Sequence, residues 1–305
     1  MRHQVFGLIT SPAATSYTAT SSTDSNTYAY VPAWEDVNVF DVRKGEKVGE
    51  WHVPGGREEV VKICAAPARK RDDGEEDDVE DDEEKIFAVA YADGAIRIWS
   101  SNFPSTTSSE GFPNQAYELV TFNGHKKSPT ALTFSTSGQL LFSGGVEGEI
   151  VVWDVLGEVG LFRLKGHRGG ISGLKYLPHP DSAGTAVKRG FLLSTAKDGM
   201  MKLWDLDSRH CLETVVVGRG EVASLDVQRR IESDGFEELS ESTGPKGRWT
   251  ILTGSMSGEV KVWEVGYDDL RKGIRENEDG NVSLESLCLY WVVSLLTPIS
   301  ALSTA

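Results

Sequence analysis

The nine residues DGMMKLWDL (198–206) carry the clearest structural signal in this chain. An acidic residue followed by glycine predicts a tight turn, and the alternating apolar positions after it predict a half-buried β-strand that ends in an aromatic residue. The same unit recurs as DGAIRIWS (93–100), EGEIVVWDV (147–155) and SGEVKVWEV (257–265), with a weaker copy, EDVNVFDV, at 35–42. Five copies of one unit predict a repeat protein built from β-hairpins.

Each unit can be written as four strands, with the third strand ending at the aromatic residue. The aromatic positions, 51 to 59 residues apart, are Phe40, Trp99, Trp153, Trp204 and Trp263. Such repeats usually take about 40 to 45 residues, so each unit carries extra loop. We assign the extra residues to loops after first strands (11–26, 66–84, 178–190, 228–247) and after third strands (101–114, 266–281). These loops open on one side of the sheets, either as a partner platform or as neutral surface elaboration.

Two copies are preceded by a Gly-His dipeptide, Gly124-His125 and Gly166-His167, and each dipeptide leads into a further strand pattern. With these dipeptides the chain resembles the WD-repeat family. The resemblance implies an all-β fold, a WD-repeat β-propeller of four-stranded blades. About five blades are recognisable where a ring of seven is expected, so we expect an incomplete propeller.

The resemblance also implies a buried chain of hydrogen bonds in each complete repeat. A histidine bridges a turn aspartate and a strand hydroxyl, and the hydroxyl reaches the ring nitrogen of the tryptophan. The complete set in this sequence is His167, Ser194, Asp198 and Trp204. Two weaker sets are expected, His125, Ser143 and Trp153 with Glu147 at the aspartate position, and Thr253 and Trp263 with Ser257 there.

The sequence offers no catalytic chemistry. The histidines are interpreted as structural because no nucleophile accompanies them. GSMSG (254–258) has the glycines of a nucleophile elbow, but Met256 stands where the serine must be. No phosphate-binding glycine loop and no metal-ligand cluster is present. We therefore expect a binding scaffold with no catalytic residue, cofactor, metal or small-molecule substrate.

The net charge of −15 is concentrated in one segment. The run 72–84 (DDGEEDDVEDDEE) holds 11 acidic residues and no basic one, so the rest of the chain carries a net charge of only −4. Such a run cannot bury apolar area, and we interpret it as a disordered solvated loop, with a protein-binding acidic segment as the alternative. The nearly balanced remainder gives no basic footprint for nucleic acid.

Cysteine content and apolar segments indicate the compartment. The three widely spaced cysteines, Cys64, Cys211 and Cys288, predict neither a disulfide framework nor a zinc site, which fits the cytosol or nucleus. The N-terminus has no signal-peptide pattern. The uncharged segment 286–305 contains Pro298 and six Ser or Thr residues, so no membrane association is expected.

Three stretches sharpen the resemblance: VNVFDVRKGEKV (37–48), EIVVWDVLGEVGLFRLKGH (149–167) and STAKDGMMKLWDLDSRHCLETVV (194–216). They resemble the N-terminal propeller of the twelfth U-three-protein family, a WD-repeat subunit of the UTP-B subcomplex of the small-subunit processome. The resemblance implies a non-catalytic scaffold in 18S pre-rRNA processing and ribosome biogenesis, located in the nucleus and nucleolus. The implied partners are other WD-repeat UTP-B subunits and, mostly indirectly, small nucleolar RNA and pre-rRNA.

The resemblance fades after Val265, which sets the expected domain boundary. We predict a propeller over 1–265, including the disordered acidic loop 72–84, and an atypical tail over 266–305 that is either a partial blade or a mispredicted end. Because the family's second propeller and helical region have no counterpart here, we expect a truncated chain. The alternative hypothesis for function is a generic WD-repeat interaction adaptor, such as a ubiquitin-ligase substrate receptor or a peptide reader.

Overall fold

The structure is a computed structural model that describes residues 18–21, 27–51, 58–67, 85–101, 116–179, 189–231, 247–266 and 288–294. Its described elements are β-strands, which form five four-stranded antiparallel sheets. Within each sheet the strands lie side by side in chain order. This meander is the arrangement that the repeated hairpin units predict.

The strands of the first three sheets have the following bounds. The first sheet consists of β1 (Thr18–Ser21), β2 (Thr27–Ala33), β3 (Asp36–Asp41) and β4 (Glu46–Trp51). The second consists of β5 (Val60–Ala65), β6 (Lys85–Tyr91), β7 (Ala95–Ser101) and β8 (Ala116–Asn123). The third consists of β9 (Pro129–Phe134), β10 (Leu140–Gly145), β11 (Glu149–Asp154) and β12 (Val159–Lys165).

The last two sheets follow the same plan. The fourth consists of β13 (Ile171–Leu177), β14 (Phe191–Ala196), β15 (Met200–Asp205) and β16 (Cys211–Val216). The fifth consists of β17 (Val222–Ile231), β18 (Gly247–Ser255), β19 (Glu259–Gly266) and β20 (Cys288–Ser294). The four tryptophans and Phe40 all lie on third strands, so the predicted register of the aromatic residues is confirmed.

Glycine makes the turn between second and third strands in four sheets. The φ angles are 98° at Gly94, 80° at Gly148, 78° at Gly199 and 83° at Gly258, all in the left-handed region that other residues rarely adopt. Gly148 is also constrained by space, because a Cβ there would lie 2.9 Å from the carbonyl oxygen of His167. The predicted tight turns are therefore confirmed, with a physical need for glycine.

Most residues of the predicted long loops lie outside the described residues, so these loops stay predictions. The loop predicted over 228–247 is wrong at its ends, because 228–231 belong to β17 and Gly247 begins β18. The gaps 68–84, 102–115, 180–188, 232–246 and 267–287 each follow a first or third strand of a sheet. The acidic run 72–84 lies outside the described residues, so its predicted disorder stays a prediction. The loop predicted over 11–26 is wrong for residues 18–21, which form β1. That segment is polar, but strand pairing there uses backbone hydrogen bonds to β2 and needs no apolar side chains.

The fourth strand of the fifth sheet lies within the segment that we predicted as an atypical tail. β20 pairs with β19 from Glu259 opposite Ser294 to Glu264 opposite Cys288. The domain boundary at residue 265 stays a prediction. Of the two alternatives for 266–305, a partial blade or a mispredicted end, the partial blade is compatible with the pairing of β20 and β19.

The chain divides into two compact units, one of residues 1–146 with 150–163 and one of 147–149 with 164–305. In the first unit the first strands β5 and β9 of consecutive sheets are neighbours, and in the second unit β13 and β17 are. Apolar side chains fill the space between sheets within each unit. In the second unit, Phe191, Met201 and Ile251, each with no exposed surface, belong to one such core.

Outer strands carry a recurring irregularity. The pairing of third and fourth strands shifts register at Val39/Phe40, Ile98/Trp99, Leu203/Trp204 and Val262/Trp263, which is always at the aromatic residue. A β-bulge at this place adds local twist to the outer strand, and a twisted edge is a poor template for pairing with another chain.

Candidate functional site

The fourth sheet contains the complete set of predicted network residues in hydrogen-bonding contact. Trp204 Nε1 donates to Ser194 Oγ at 2.8 Å, and Ser194 Oγ lies 2.8 Å from His167 Nε2. On the other side of the ring, His167 Nδ1 lies 3.1 Å from Asp198 Oδ2. The chain of bonds joins the loop before β13, strand β14, the following turn and strand β15.

The partners of the histidine define its protonation. Asp198 can only accept, so His167 Nδ1–H donates to it, and the bare Nε2 accepts from the Ser194 hydroxyl. Burial lowers the pKa of His167 below 6.5 by more than Asp198 raises it, so the ring is neutral at pH 7. Trp204, Ser194 and His167 then each donate one hydrogen bond along the chain, and the carboxylate of Asp198 is the final acceptor.

Asp198 holds more than the histidine. Its carboxylate accepts from the backbone N–H of Arg168 at 2.8 Å and of Met200 at 3.0 Å. Burial acts to raise the pKa of Asp198, but the hydrogen bonds from Arg168, His167 and Met200 outweigh it, and the pKa lies below its usual value of 3.8. The ionised carboxylate thus ties two loops together on one edge of the sheet.

The third and fifth sheets contain shorter versions of this chain. In the third, Trp153 Nε1 donates to Ser143 Oγ at 2.8 Å, and Ser143 Oγ lies 2.7 Å from His125 Nε2. In the fifth, Trp263 Nε1 donates to Thr253 Oγ1 at 2.9 Å. The exposed Ser257, at the aspartate position of the fifth unit, contacts the hydroxyl of Ser255 at 2.6 Å.

The glycine of the Gly-His dipeptide makes room for the tryptophan. A Cβ at Gly124 would lie 2.5 Å from Cη2 of Trp153, and one at Gly166 would lie 3.1 Å from Cη2 of Trp204. Any larger residue would displace the ring and with it the Nε1–H donor. The dipeptide therefore supplies both the space for the ring and the imidazole of the network.

The second sheet replaces the polar chain by an aromatic cluster, which the sequence analysis did not predict. Val89 pairs with Arg97, where Ser194 pairs with Lys202 in the fourth sheet, so no hydroxyl is available to Trp99 at this place. Trp99 instead stacks on Trp51, with ring centroids 6.0 Å apart. Tyr30 and Phe87, whose ring centroids lie 4.3 Å apart, belong to the same cluster.

An aspartate directly after the aromatic residue organises the next turn in three sheets, a role that the sequence analysis also missed. Asp154 Oδ1 accepts from the backbone N–H of Leu156 and Gly157 at 3.1 and 3.0 Å. The same pattern is formed by Asp41 with Arg43 and Lys44, and by Asp205 with Asp207 and Ser208. The signal was in the sequence, because aspartate often binds the backbone two residues on in a turn.

The second and fifth sheets lack this aspartate. Ser100 and Glu264 follow Trp99 and Trp263, and in these two sheets the chain continues into the long connections 102–115 and 267–287. The three sheets with this aspartate thus have a short turn after the third strand, and the two sheets without it have a long connection there.

The structure places the residues that the sequence analysis considered for a catalytic role. Met256, the residue at the centre of GSMSG, is an exposed turn residue, and the His167 ring has both nitrogens engaged and its side chain has no exposed surface. Within the described ranges, no three His, Cys, Asp or Glu side chains come together as ligands for a metal ion. No helix in the described part of the chain has the length and apolar character needed to cross a bilayer.

The chain matches the WD40 family (WD domain, G-beta repeat) over residues 117–154 and 159–205. It is 30% identical to U3 small nucleolar RNA-associated protein 12 of Saccharomyces cerevisiae over 229 residues, which cover 73% of this chain and 21% of that protein. It is 26% identical to the U3 snoRNP-associated protein-like EMB2271 of Arabidopsis thaliana, covering 68% of this chain and 43% of that protein. The COMPASS component SWD3 of Saccharomyces cerevisiae is 27% identical and is matched over 48% of this chain and 41% of its own length.

These relatives are longer than the matched segments, so the chain spans less than half of each of the three. Among solved structures, a chain in the crystal structure of a mitotic checkpoint complex matches with a TM-score of 0.54 and 15% identity, covering 93% of this chain and 66% of that chain. Such a likeness concerns the fold alone. The four-stranded sheets, the matched repeats and these likenesses together identify the chain as a WD40-repeat protein of the all-β propeller fold class.

Proposed function

We propose that this WD-repeat chain is a non-catalytic scaffold in small-subunit (18S) pre-rRNA processing, within a complex associated with the U3 small nucleolar RNP. The observation that carries the proposal is the 30% identity to yeast U3 small nucleolar RNA-associated protein 12, which extends over 73% of the chain. The Arabidopsis relative is likewise a U3 snoRNP-associated protein by name.

We propose a structural role for the network residues His167, Ser194, Asp198 and Trp204, and for their counterparts in the third and fifth sheets. A general base needs a nitrogen lone pair that a reactant can reach. In His167 that lone pair accepts from Ser194 at 2.8 Å, and the imidazole is shut off from solvent. The network therefore supports rigid sheets, as a binding scaffold requires.

The scaffold proposal extends to partners and location. We expect the protein to bind other WD-repeat UTP-B subunits in the nucleolus and to reach small nucleolar RNA and pre-rRNA mostly through them. A net charge of −4 outside the acidic run provides little attraction for phosphates. The purified chain should therefore bind RNA weakly even at low salt, where phosphate contacts are strongest.

Affinity purification from cells tests the proposal. The tagged native protein should recover WD-repeat UTP-B subunits together with U3 RNA and unprocessed pre-rRNA, and its depletion should reduce 18S rRNA while sparing the large-subunit rRNAs. Nuclease treatment before purification separates the two kinds of contact, because direct protein contacts survive it. Normal 18S levels after depletion would contradict the proposal.

The second candidate is a generic WD-repeat adaptor, and the similarity to the COMPASS component SWD3 is the observation in its favour. It predicts a different set of partners in the same purification. Recovery of a cullin-type ligase or of histone tails as the main partners, with normal 18S processing, would favour the adaptor over the processome scaffold.

A further inference from the structure

The turn between β2 and β3 differs from its counterparts in the other sheets. Trp34 occupies it with a φ of 60°, in the left-handed region where the other four sheets have glycine. A non-glycine residue in this conformation costs free energy, since Cβ crowds the backbone. The side chain does not recover that cost by burial, because 56% of the residue's surface is exposed. An exposed aromatic residue in a strained turn contributes little to folding and is a candidate for contact with a partner.

Two neighbouring segments of the same unit flank this turn. The backbone N–H of Val60 donates to the carbonyl of Trp34 at 2.7 Å, and the N–H of Ala92 donates to the carbonyl of Glu59 at 2.8 Å. The turn 33–36, residues 58–60 and the turn 91–94 therefore lie side by side. We call these three segments together the Trp34 surface.

The Trp34 surface is strongly acidic. Its carboxylates are Glu35, Asp36, Glu58, Glu59 and Asp93. The described residues of the three segments contain no lysine or arginine, and Arg57 directly precedes the second segment in the sequence. Among the described residues, no lysine or arginine forms an ion pair with Glu35, Glu58, Glu59 or Asp93. The next loop along, 124–128, carries Lys126 and Lys127, and marks the end of the acidic zone.

We propose that the Trp34 surface is a docking site for a segment of another protein that carries arginine or lysine. The face of an indole attracts a guanidinium or ammonium group, and tryptophan is enriched among the residues that dominate binding at protein interfaces. The surrounding carboxylates complement the same positive charge and repel polyanions. Both features select a cationic side chain, so the surface is suited to a basic peptide and unsuited to RNA. This inference stands on the described contacts and does not depend on the proposed role in pre-rRNA processing.

Fluorescence anisotropy with the full chain tests the proposal, using a labelled peptide of arginines spaced by glycine and serine. We expect binding that weakens with salt and that weakens about two- to fivefold in Trp34→Ala, as loss of a cation–π contact at an exposed site implies. The matched control is Leu156→Ala, a residue of the same unit that is 62% exposed in the turn after β11. The acidic run 72–84 also attracts the peptide, but it is unchanged in both variants, so the difference between them reports Trp34.

A second variant separates binding from folding. Trp34→Gly places at this turn the residue that suits its φ, so the chain should be at least as stable as the wild type while its affinity for the arginine peptide falls as in Trp34→Ala. Charge reversal in Glu58→Lys should weaken binding of the peptide as well. Equal affinities of Trp34→Ala and Leu156→Ala for the peptide would overturn the proposal. So would binding of an oligouridylate probe that is lost in Trp34→Ala, because it would make the surface an RNA contact.

Discussion

Replacing Asp198 with alanine removes the common acceptor at one end of the hydrogen-bond chain in the fourth sheet. Three donors then lose their acceptor: His167 Nδ1–H and the backbone N–H groups of Arg168 and Met200. The side chains involved are nearly shielded from water, with exposed fractions of 0% for His167 and 8% for Asp198. A buried donor left unsatisfied costs about 1–3 kcal/mol, and some of these groups can recover water at the edge of the turn. We therefore expect Asp198→Ala to lower the free energy of unfolding by about 2 kcal/mol.

Urea unfolding followed by tryptophan fluorescence measures this loss. With a slope of about 2 kcal/mol per molar, the midpoint should fall by about 1 M. The control is Ser257→Ala at the equivalent position of the fifth unit, where an exposed side chain contacts only Ser255, so a change within about 0.5 kcal/mol is expected. Asp198→Asn, which keeps one acceptor oxygen, should lie between the two.

The pH dependence of the stability lost in Asp198→Ala provides an independent check. The folded-state pKa of Asp198 is lowered, so the stability from its ionised form is fully present above pH 3.8 and is lost as the pH falls through the folded pKa. The difference in free energy of unfolding between the wild type and Asp198→Ala should therefore decrease only in strong acid. Equal urea midpoints for Asp198→Ala and Ser257→Ala at pH 7 would refute the assignment of this network.

Three further predictions concern the rest of the chain. Deletion of residues 72–84 should leave a soluble protein with an unchanged cooperative transition by circular dichroism, because so charged a run contributes no buried area; loss of the transition would show that the run is structural. Gly124→Ala should destabilise the third sheet by about 1–3 kcal/mol in urea, because its Cβ would lie 2.5 Å from the Trp153 ring; an unchanged midpoint would contradict the close approach. Because the folded-state pKa of His167 is lowered, the unfolded chain takes up its proton first, and stability should fall as the pH drops below 6.5. The free energy of unfolding should depend less steeply on pH in His167→Asn than in the wild type. An identical pH dependence in the two proteins would count against a buried neutral imidazole.

The contacts between a hydroxyl and a tryptophan form within one hairpin, and residue spacing predicts them. The contacts of His167 with Ser194 and Asp198, 27 and 31 residues on, were implied by the resemblance to the WD-repeat family. In the third, fourth and fifth sheets, the hydroxyl and the tryptophan it binds are 10 residues apart, on adjacent strands joined by one turn. A fixed turn length gives a fixed spacing, so a motif can be found by counting residues. The aspartate that follows the aromatic residue acts within three residues, and closer attention to turn chemistry would have found it as well.

The aromatic cluster of the second sheet could not be found in this way. Trp51 and Trp99 stack although they are far apart in sequence, and Val89 marks only the absence of a hydroxyl. Phe87 and Trp99 pair across one hairpin, but Tyr30 and Trp51 come from other strands. The spacing of these four residues therefore does not distinguish a polar network from an aromatic cluster. Likewise, the four-residue strand β1 has a polar sequence that carries no period-two signal.

Local sequence was sufficient for the hairpin turns and the third strands, because turn conformation and strand alternation depend on residues within about ten positions of each other. Tertiary structure decided how Trp34 is presented. The residue's exposure and left-handed φ follow from the turn that joins β2 to β3, and its carboxylate neighbours come from segments that reach it through backbone hydrogen bonds of Val60 and Ala92. Such contacts depend on which strands lie side by side in space, and a linear pattern does not encode that distance.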